Sequence, residues 1–189
     1  KTSKGRPPKE LWVIDPKDSK TQKIEINPVF WRPLWIPKTH KIVTVVGKRK
    51  PAVIFKGQLV SQEIGSGKTI FIGEGYFCIH DKCVFDWVSD HKGNVYYISI
   101  KPEEGIVGNT IGRDYFPGYA LARTGWDPKA WIPLDGRPYS LSVSPDGMHV
   151  AFCMEWIENK KHYRAICLYD LNKMTLTMPV MNNGDFRIN

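Results

Sequence analysis

Short apolar or alternating runs recur along the whole chain, and turns rich in glycine, proline, asparagine and aspartate separate them. Runs of four to eight residues with such boundaries are typical of β-strands, whereas an amphipathic helix repeats its apolar positions every three or four residues. Fourteen prolines and sixteen glycines would break helices but suit the connections between strands. The pattern therefore predicts an all-β fold, with strands at 11–14, 42–46, 52–55, 69–72, 95–100, 150–154 and 165–169.

The strand pattern also repeats. Strand-turn-strand segments around Trp35, Trp87 and Ser142 follow one another at intervals of about 52 and 55 residues, close to the unit length of propeller repeats. The run from Leu11 also matches the run from Ile166, about 155 residues later, or about three periods. The repeat favours a β-propeller over a sandwich or barrel.

One segment carries a recognisable motif. The turn Ser144-Pro145-Asp146-Gly147 leads into His149-Val150-Ala151-Phe152, and Ile166-Cys167-Leu168-Tyr169-Asp170 follows. Proline presets the first corner of such a turn, aspartate bonds backbone amides and glycine supplies positive φ. These residues resemble the repeat of TolB-like, or PD40, β-propellers. The resemblance is good over about 139–180, recognisable over 10–47 and weak over 52–134; it implies four-stranded antiparallel blades and no particular function.

Counting strand pairs gives a domain of about three and a half blades over residues 10–181. Residues 1–9 are expected to be an N-terminal tail, and 182–189 a C-terminal tail or the start of a further strand. Propellers close with about four to eight blades. The sequence therefore predicts an incomplete propeller, completed by a protein partner, by a homo-oligomer or by the rest of its own polypeptide.

The four cysteines fall into two pairs, each bracketing a predicted hairpin: Cys78 with Cys83, and Cys153 with Cys167, which are symmetric about Lys160. Cysteines that face each other across an antiparallel ladder can form a disulfide. We expect these two disulfides, and with them a periplasmic or extracellular location. Reduced, buried cysteines are the alternative. A metal site formed by Cys78, His80 and Cys83 is a weaker alternative, because the sequence lacks the two CxxC-type motifs that are typical of a zinc site.

Net charge and chemical motifs limit the classes of function that fit this sequence. The charge is +8, which suits an acidic partner such as nucleic acid or another polyanion, and Lys48-Arg49-Lys50 is a candidate contact. The segment 65–69 imitates a phosphate-binding loop, but it lacks the first glycine and precedes a strand rather than a helix, so we interpret it as a β-turn. No catalytic signature, cofactor motif or apolar run of about 18 residues occurs in the sequence.

Aromatic residues supply the remaining candidates. Most tryptophans suit packing within or between blades. Trp126 and Trp131 flank Asp127-Pro128-Lys129, an expected exposed turn, and could instead form a face on which a ligand stacks. The sequence thus predicts a non-enzymatic propeller module that binds or scaffolds a macromolecule. Two alternatives stay open: a propeller segment of a larger hydrolase or cofactor-dependent dehydrogenase, and a polyanion-binding protein.

Overall fold

The structure is a computed structural model that describes residues 11–24, 33–47, 54–78, 86–100 and 118–183. Over these ranges the chain forms fourteen strands and a single turn of 3₁₀ helix at Pro128–Ala130. The strands are β1 (Leu11–Ile14), β2 (Thr21–Ile24), β3 (Leu34–Trp35), β4 (Lys41–Val46), β5 (Ile54–Glu63), β6 (Thr69–Cys78), β7 (Trp87–Ser89), β8 (Val95–Ile100), β9 (Tyr119–Arg123), β10 (Ile132–Leu134), β11 (Arg137–Val143), β12 (His149–Glu158), β13 (Lys161–Asp170) and β14 (Thr175–Asn183).

These strands form three four-stranded antiparallel sheets and one two-stranded hairpin, all in chain order. We call them the N-terminal hairpin (β1–β2), the first sheet (β3–β6), the middle sheet (β7–β10) and the last sheet (β11–β14). The prediction of all-β, four-stranded antiparallel blades in an incomplete propeller is confirmed. In the part of the chain that the structure describes, no helix is long and apolar enough to cross a membrane.

The core consists of two clusters, one on each face of the middle sheet. Strand β8 joins them, because successive side chains of a strand point to opposite faces. Val95 and Tyr97 belong to the cluster shared with the first sheet, and Tyr96, Ile98 and Ile100 to the cluster shared with the last sheet. All six residues of β8 are buried. The sheets therefore stack face to face like propeller blades.

Hydrogen bonds join the first strands of neighbouring sheets. One carboxylate oxygen of Asp86, just before β7, accepts from the backbone N–H of Leu141 in β11 at 2.7 Å, and the other accepts from the N–H of Trp87 at 2.9 Å. The hydroxyl of Ser89 in β7 donates to the carbonyl of Trp35 in β3 at 3.3 Å. These bonds tie together the first strands of the three sheets, β3, β7 and β11.

The outermost strand of the first sheet, β6, is tied to the middle sheet as well. The Tyr97 hydroxyl donates to the carbonyl of Glu74 at 2.7 Å, and the Ser99 hydroxyl accepts from the N–H of Tyr76 at 3.0 Å. An unpaired strand edge is a template for unwanted pairing. Here hydroxyl groups of β8 form hydrogen bonds with backbone groups of that edge. Burial in this position raises the pKa of Tyr97.

The predicted turn at 144–147 has the expected chemistry. Gly147 has a φ of +71°, and its N–H donates to the carbonyl of Ser144 at 2.8 Å. One carboxylate oxygen of Asp146 accepts from the Ser144 hydroxyl and from the N–H of Met148. These bonds, with the Ser144 hydroxyl contributing most, lower the pKa of Asp146.

The repeat alignment needs a small correction. Trp35, Trp87 and Ser142 do lie in the first strands of the three sheets. The hydrogen bonds that close the following turns, however, begin at Ile36, Asp90 and Ser144. These bonds make Trp35 equivalent to Ser89 and Val143. The predicted alignment matched tryptophan with tryptophan, whereas the start of each turn sets the equivalent positions.

The predicted Cys153–Cys167 disulfide is wrong, since both cysteines are free thiols. Cys153 pairs with Ile166, and Cys167 with Phe152, so the two thiols lie on opposite faces of the sheet. The prediction placed Lys160 at the centre of the hairpin. The turn instead has two central residues, Asn159 and Lys160, both with positive φ. A register error of one residue moves a side chain to the other face.

The other predicted pairing involves Cys78, the last residue of β6. Cys83 lies outside the described residues, as does His80 of the alternative metal site. Within the described ranges, no group of three or more metal-ligating side chains comes together. The Cys78–Cys83 disulfide and the location inferred from it remain predictions.

Candidate interaction site

The outer face of the last sheet, which points away from the middle sheet, carries an apolar row across all four strands. The cross-strand register aligns Tyr139 of β11 with Cys153 of β12, Ile166 of β13 and Val180 of β14. Ile166 is 47% exposed and Val180 is 54% exposed. We call this row the apolar rung. It leaves large apolar side chains in contact with solvent. Contiguous exposed apolar side chains often mark a surface that binds another molecule.

A charged row lies directly beside the apolar rung. It aligns Arg137, Glu155, Arg164 and Asn182, again one residue from each strand. The Glu155 carboxylate is shared by Arg137 Nη1 at 3.4 Å and Arg164 Nε at 3.5 Å. We call this row the charged rung. Two guanidinium groups with one carboxylate leave a net positive charge beside the apolar side chains.

On the other side of the apolar rung, the face carries smaller groups. Ser142, Ala151, Leu168 and Thr177 form the third row. Leu168 and Ala151 are partly buried, while Thr177 is exposed. The outer face is thus a mainly uncharged surface bordered by arginine on one side, which suits packing against another sheet.

The two cysteines show how different the two faces are. Cys167 lies on the inner face among the residues of the core shared with the middle sheet. Burial raises the pKa of its thiol to about 11. Cys153 lies on the outer face in the apolar rung and is only partly buried. One hairpin therefore carries a core thiol and a surface thiol.

The two candidate tryptophans both lie at the 3₁₀ helix between β9 and β10, but they do not share a surface. The Arg123 guanidinium lies over the ring of Trp126 at 5.9 Å and over the ring of Tyr96 at 5.8 Å. Trp131 packs edge-on against Tyr97 at 6.3 Å. Tyr96 and Tyr97 point to opposite faces of the middle sheet. The geometry therefore separates the expected stacking pair.

Trp131 also lines an open groove of about 350 Å³ between β6 and the 3₁₀ helix. Tyr76, Pro128 and Lys129 line it too, with the Lys56–Glu74 ion pair at 2.7 Å on the first-sheet side. The indole N–H of Trp131 is buried and has no hydrogen-bond partner in the described structure. A ligand role for Trp131 remains a prediction, and Trp126 lies outside this groove.

Two other predicted sites have simpler outcomes. Lys48, Arg49 and Lys50 lie outside the described residues. The phosphate-loop-like segment 65–69 is a hairpin turn between β5 and β6, closed by a hydrogen bond from Glu63 N–H to the Lys68 carbonyl at 2.9 Å. The interpretation of that segment as a β-turn is confirmed.

The comparison with solved structures decides the fold. The chain superimposes on the crystal structure of TolB from Acinetobacter baumannii with a TM-score of 0.52, over 89% of this chain and 37% of that chain, at 10% sequence identity. The chain has a TolB-like β-propeller fold. It spans little more than a third of that protein's length. No family sequence model matches it, nor does any curated protein sequence. The likeness therefore shows the fold alone.

The outer face of the last sheet is not among the predicted sites, although the sequence carries a signal for it. Residues 165–169 of β13 are apolar without alternation. An unbroken apolar run is typical of a strand buried on both faces. This pattern points to a face that another surface covers.

Proposed function

We propose that this chain is part of a non-enzymatic β-propeller module that holds a macromolecular partner through the outer face of its last sheet. The observation that carries the proposal is the half-exposed apolar rung at Ile166 and Val180. The equivalent positions between the first and middle sheets, and between the middle and last sheets, are filled by core side chains.

The pattern of β13 supports this proposal. Its central residues resemble β8 in being apolar at consecutive positions. Strand β8 has a sheet on both sides, and all of its residues are buried. Covering the outer face of β13 would remove apolar area from water at about 25 cal/mol per Å². A partner that fits this face therefore gains binding free energy without any catalytic group.

The charged rung gives such an interface its specificity. Arg137 and Arg164 share one carboxylate, so a further carboxylate from a partner could bond the remaining guanidinium donors. Like-charged surfaces would be disfavoured at the same place. The apolar rung supplies affinity and the charged rung selects the partner.

Site-specific photo-cross-linking in cells tests this proposal. A photoreactive amino acid at Val180 lies on the outer face, whereas the same amino acid at Phe71, an exposed position of β6, serves as the control. We expect a discrete cross-linked product from position 180 that is absent from position 71. Mass spectrometry would identify the partner.

A second variant shows whether the apolar rung is responsible. Ile166→Glu places a charge in the centre of the rung and should remove at least about nine-tenths of the cross-linked product, equivalent to about 1.4 kcal/mol of binding free energy. Equal cross-linking from positions 180 and 71, or a product unaffected by Ile166→Glu, would refute a docking role for this face.

A further inference from the structure

The groove between β6 of the first sheet and the 3₁₀ helix of the middle sheet has the size of a small-molecule site. Its volume is about 350 Å³, and pockets of this size commonly hold small ligands. We call it the inter-sheet groove. It belongs to a different part of the molecule from the outer face of the last sheet, so its ligand is independent of the proposed function. The residues that matter for its chemistry are Lys56, Glu74, Tyr76, Pro128, Lys129 and Trp131.

One tyrosine of the middle sheet holds both walls of the inter-sheet groove. The Tyr97 hydroxyl donates to the carbonyl of Glu74 at 2.7 Å, and the Tyr97 ring packs edge-on against Trp131, with 6.3 Å between ring centroids. Gly75 permits this close approach, because a Cβ at that position would lie 3.1 Å from the Tyr97 ring. The two walls are therefore held in place before a ligand arrives, which lowers the entropic cost of binding.

The groove presents ring surfaces and one unsatisfied hydrogen-bond donor. Tyr76, Pro128 and Trp131 all carry rings, and aromatic ligands pack favourably against aromatic side chains. The indole N–H of Trp131 is buried and has no hydrogen-bond partner among the residues that the structure describes. Buried donors are paired in the large majority of cases. A ligand with a ring and an acceptor oxygen matches both properties.

The charged side chains of the groove favour an anion. The Lys56 ammonium and the Glu74 carboxylate pair with each other at 2.7 Å. Lys129 is the other charged residue of the lining, and within the described ranges it has no carboxylate partner. One positive charge is thus left for a ligand. A carboxylate matches it, whereas a phosphate group would bring about two negative charges close to Glu74.

We propose that the inter-sheet groove binds a small aromatic carboxylic acid. The ring of the ligand packs against Trp131, and its carboxylate pairs with the Lys129 ammonium two residues earlier on the same wall. Hydrogen bonds between charged groups are stronger than those between neutral groups. Lys129 therefore selects the acid over the neutral amide of the same shape.

NMR titration of the isotope-labelled full chain tests the proposal, with phenylacetate as the probe and phenylacetamide as its neutral match. The indole N–H signal of Trp131, identified by its loss in Trp131→Phe, should shift as phenylacetate is added. The signal of Trp126, which lies outside the groove, should stay in place. Phenylacetate should bind with a dissociation constant at least about tenfold below that of phenylacetamide.

Two matched lysine variants show whether the charge of Lys129 is responsible. Lys129→Gln should reduce the preference for phenylacetate to less than about twofold, whereas Lys161→Gln, at an exposed position of β13, should preserve it. The NMR spectrum of each variant verifies that it folds. An unmoved Trp131 signal at about 10 mM phenylacetate, or a preference that survives Lys129→Gln, would overturn the proposal. Tighter binding of an acetylated tripeptide that ends in phenylalanine would overturn the assignment to a small molecule.

Discussion

The middle and last sheets contain strands of the same sequence character in different surroundings. Residues 95–98 of β8 and 165–169 of β13 are apolar at consecutive positions. In β8 every side chain is buried, because a sheet packs on each face. In β13 burial alternates, and Ile166 is exposed between the buried residues Ala165 and Cys167. The difference follows the packing of the described residues: β8 has core side chains on both faces, and β13 has them on its inner face.

Truncation of one side chain in each strand should give the largest difference in the free energy of unfolding between β8 and β13. Ile98→Ala removes a buried side chain of β8 and should lower the free energy of unfolding by about 2–5 kcal/mol. Ile166→Ala, the matched change on the outer face of β13, should cost less than about 1 kcal/mol in the monomer, because the side chain is already half exposed. Urea denaturation at low protein concentration measures both. Equal losses would remove the distinction between the two strands.

The Asp86 carboxylate tests whether a hydrogen bond between the first strands of the middle and last sheets contributes to stability. Asp86→Ala leaves the N–H groups of Trp87 and Leu141 without this acceptor and should cost about 1–3 kcal/mol. Asp127→Ala removes one exposed bond, to the N–H of Lys129, and should cost less. If thermal unfolding gave the same loss for both variants, the bond between the sheets would not contribute to stability.

The turn glycine gives a smaller effect that is confined to the last sheet. Gly147→Ala forces a side chain into a φ of +71° and should cost about 1 kcal/mol. Gly73→Ala is the control, since a Cβ there meets nothing closer than 3.7 Å and no positive φ is required. Chemical denaturation should therefore give a larger change at position 147. The opposite order would contradict the turn assignment.

The smallest effect concerns alkaline pH. Burial disfavours the thiolate and raises the pKa of Cys167 to about 11 in the folded chain, above the value of 9.0 for an unperturbed thiol. The folded state therefore holds this proton more tightly, and stability decreases as pH rises from about 9 to about 11. Cys167→Val should reduce this decrease in thermal unfolding, whereas Cys153→Val should preserve it. An identical pH profile for all three chains would be inconsistent with a buried Cys167.

Much of the fold could be predicted because its information is local. Proline, aspartate and glycine at 145–147 specify a turn by their own conformational preferences, and the spacing of such turns gave three and a half blades. The cysteine pairing could not be predicted in the same way. Counting from Lys160 rather than from between Asn159 and Lys160 shifted the ladder by one residue, enough to place Cys153 and Cys167 on one face instead of two.

The candidate site was harder to predict, because exposure depends on what the whole chain does and does not cover. Trp126 and Trp131 are close in sequence, but contacts with Arg123 and Tyr97 place them on opposite faces of the middle sheet. The outer face of the last sheet combines side chains from four strands, so no contiguous motif marks it. The one sequence signal for this face is the unbroken apolar pattern of β13, which is typical of a strand buried on both faces.

Site-resolved thiol alkylation measures most directly whether the outer face is covered. Cys153 reports on that face and Cys167 on the core behind it. The ratio of their iodoacetamide modification rates, read by mass spectrometry, is compared between an extract of cells that produce the chain and the purified chain diluted to nanomolar concentration. We expect Cys153 to be protected at least about tenfold in the extract relative to the dilute chain, with Cys167 slow in both. The same ratio in both samples would show that nothing covers the outer face, and would contradict a docking role for the last sheet.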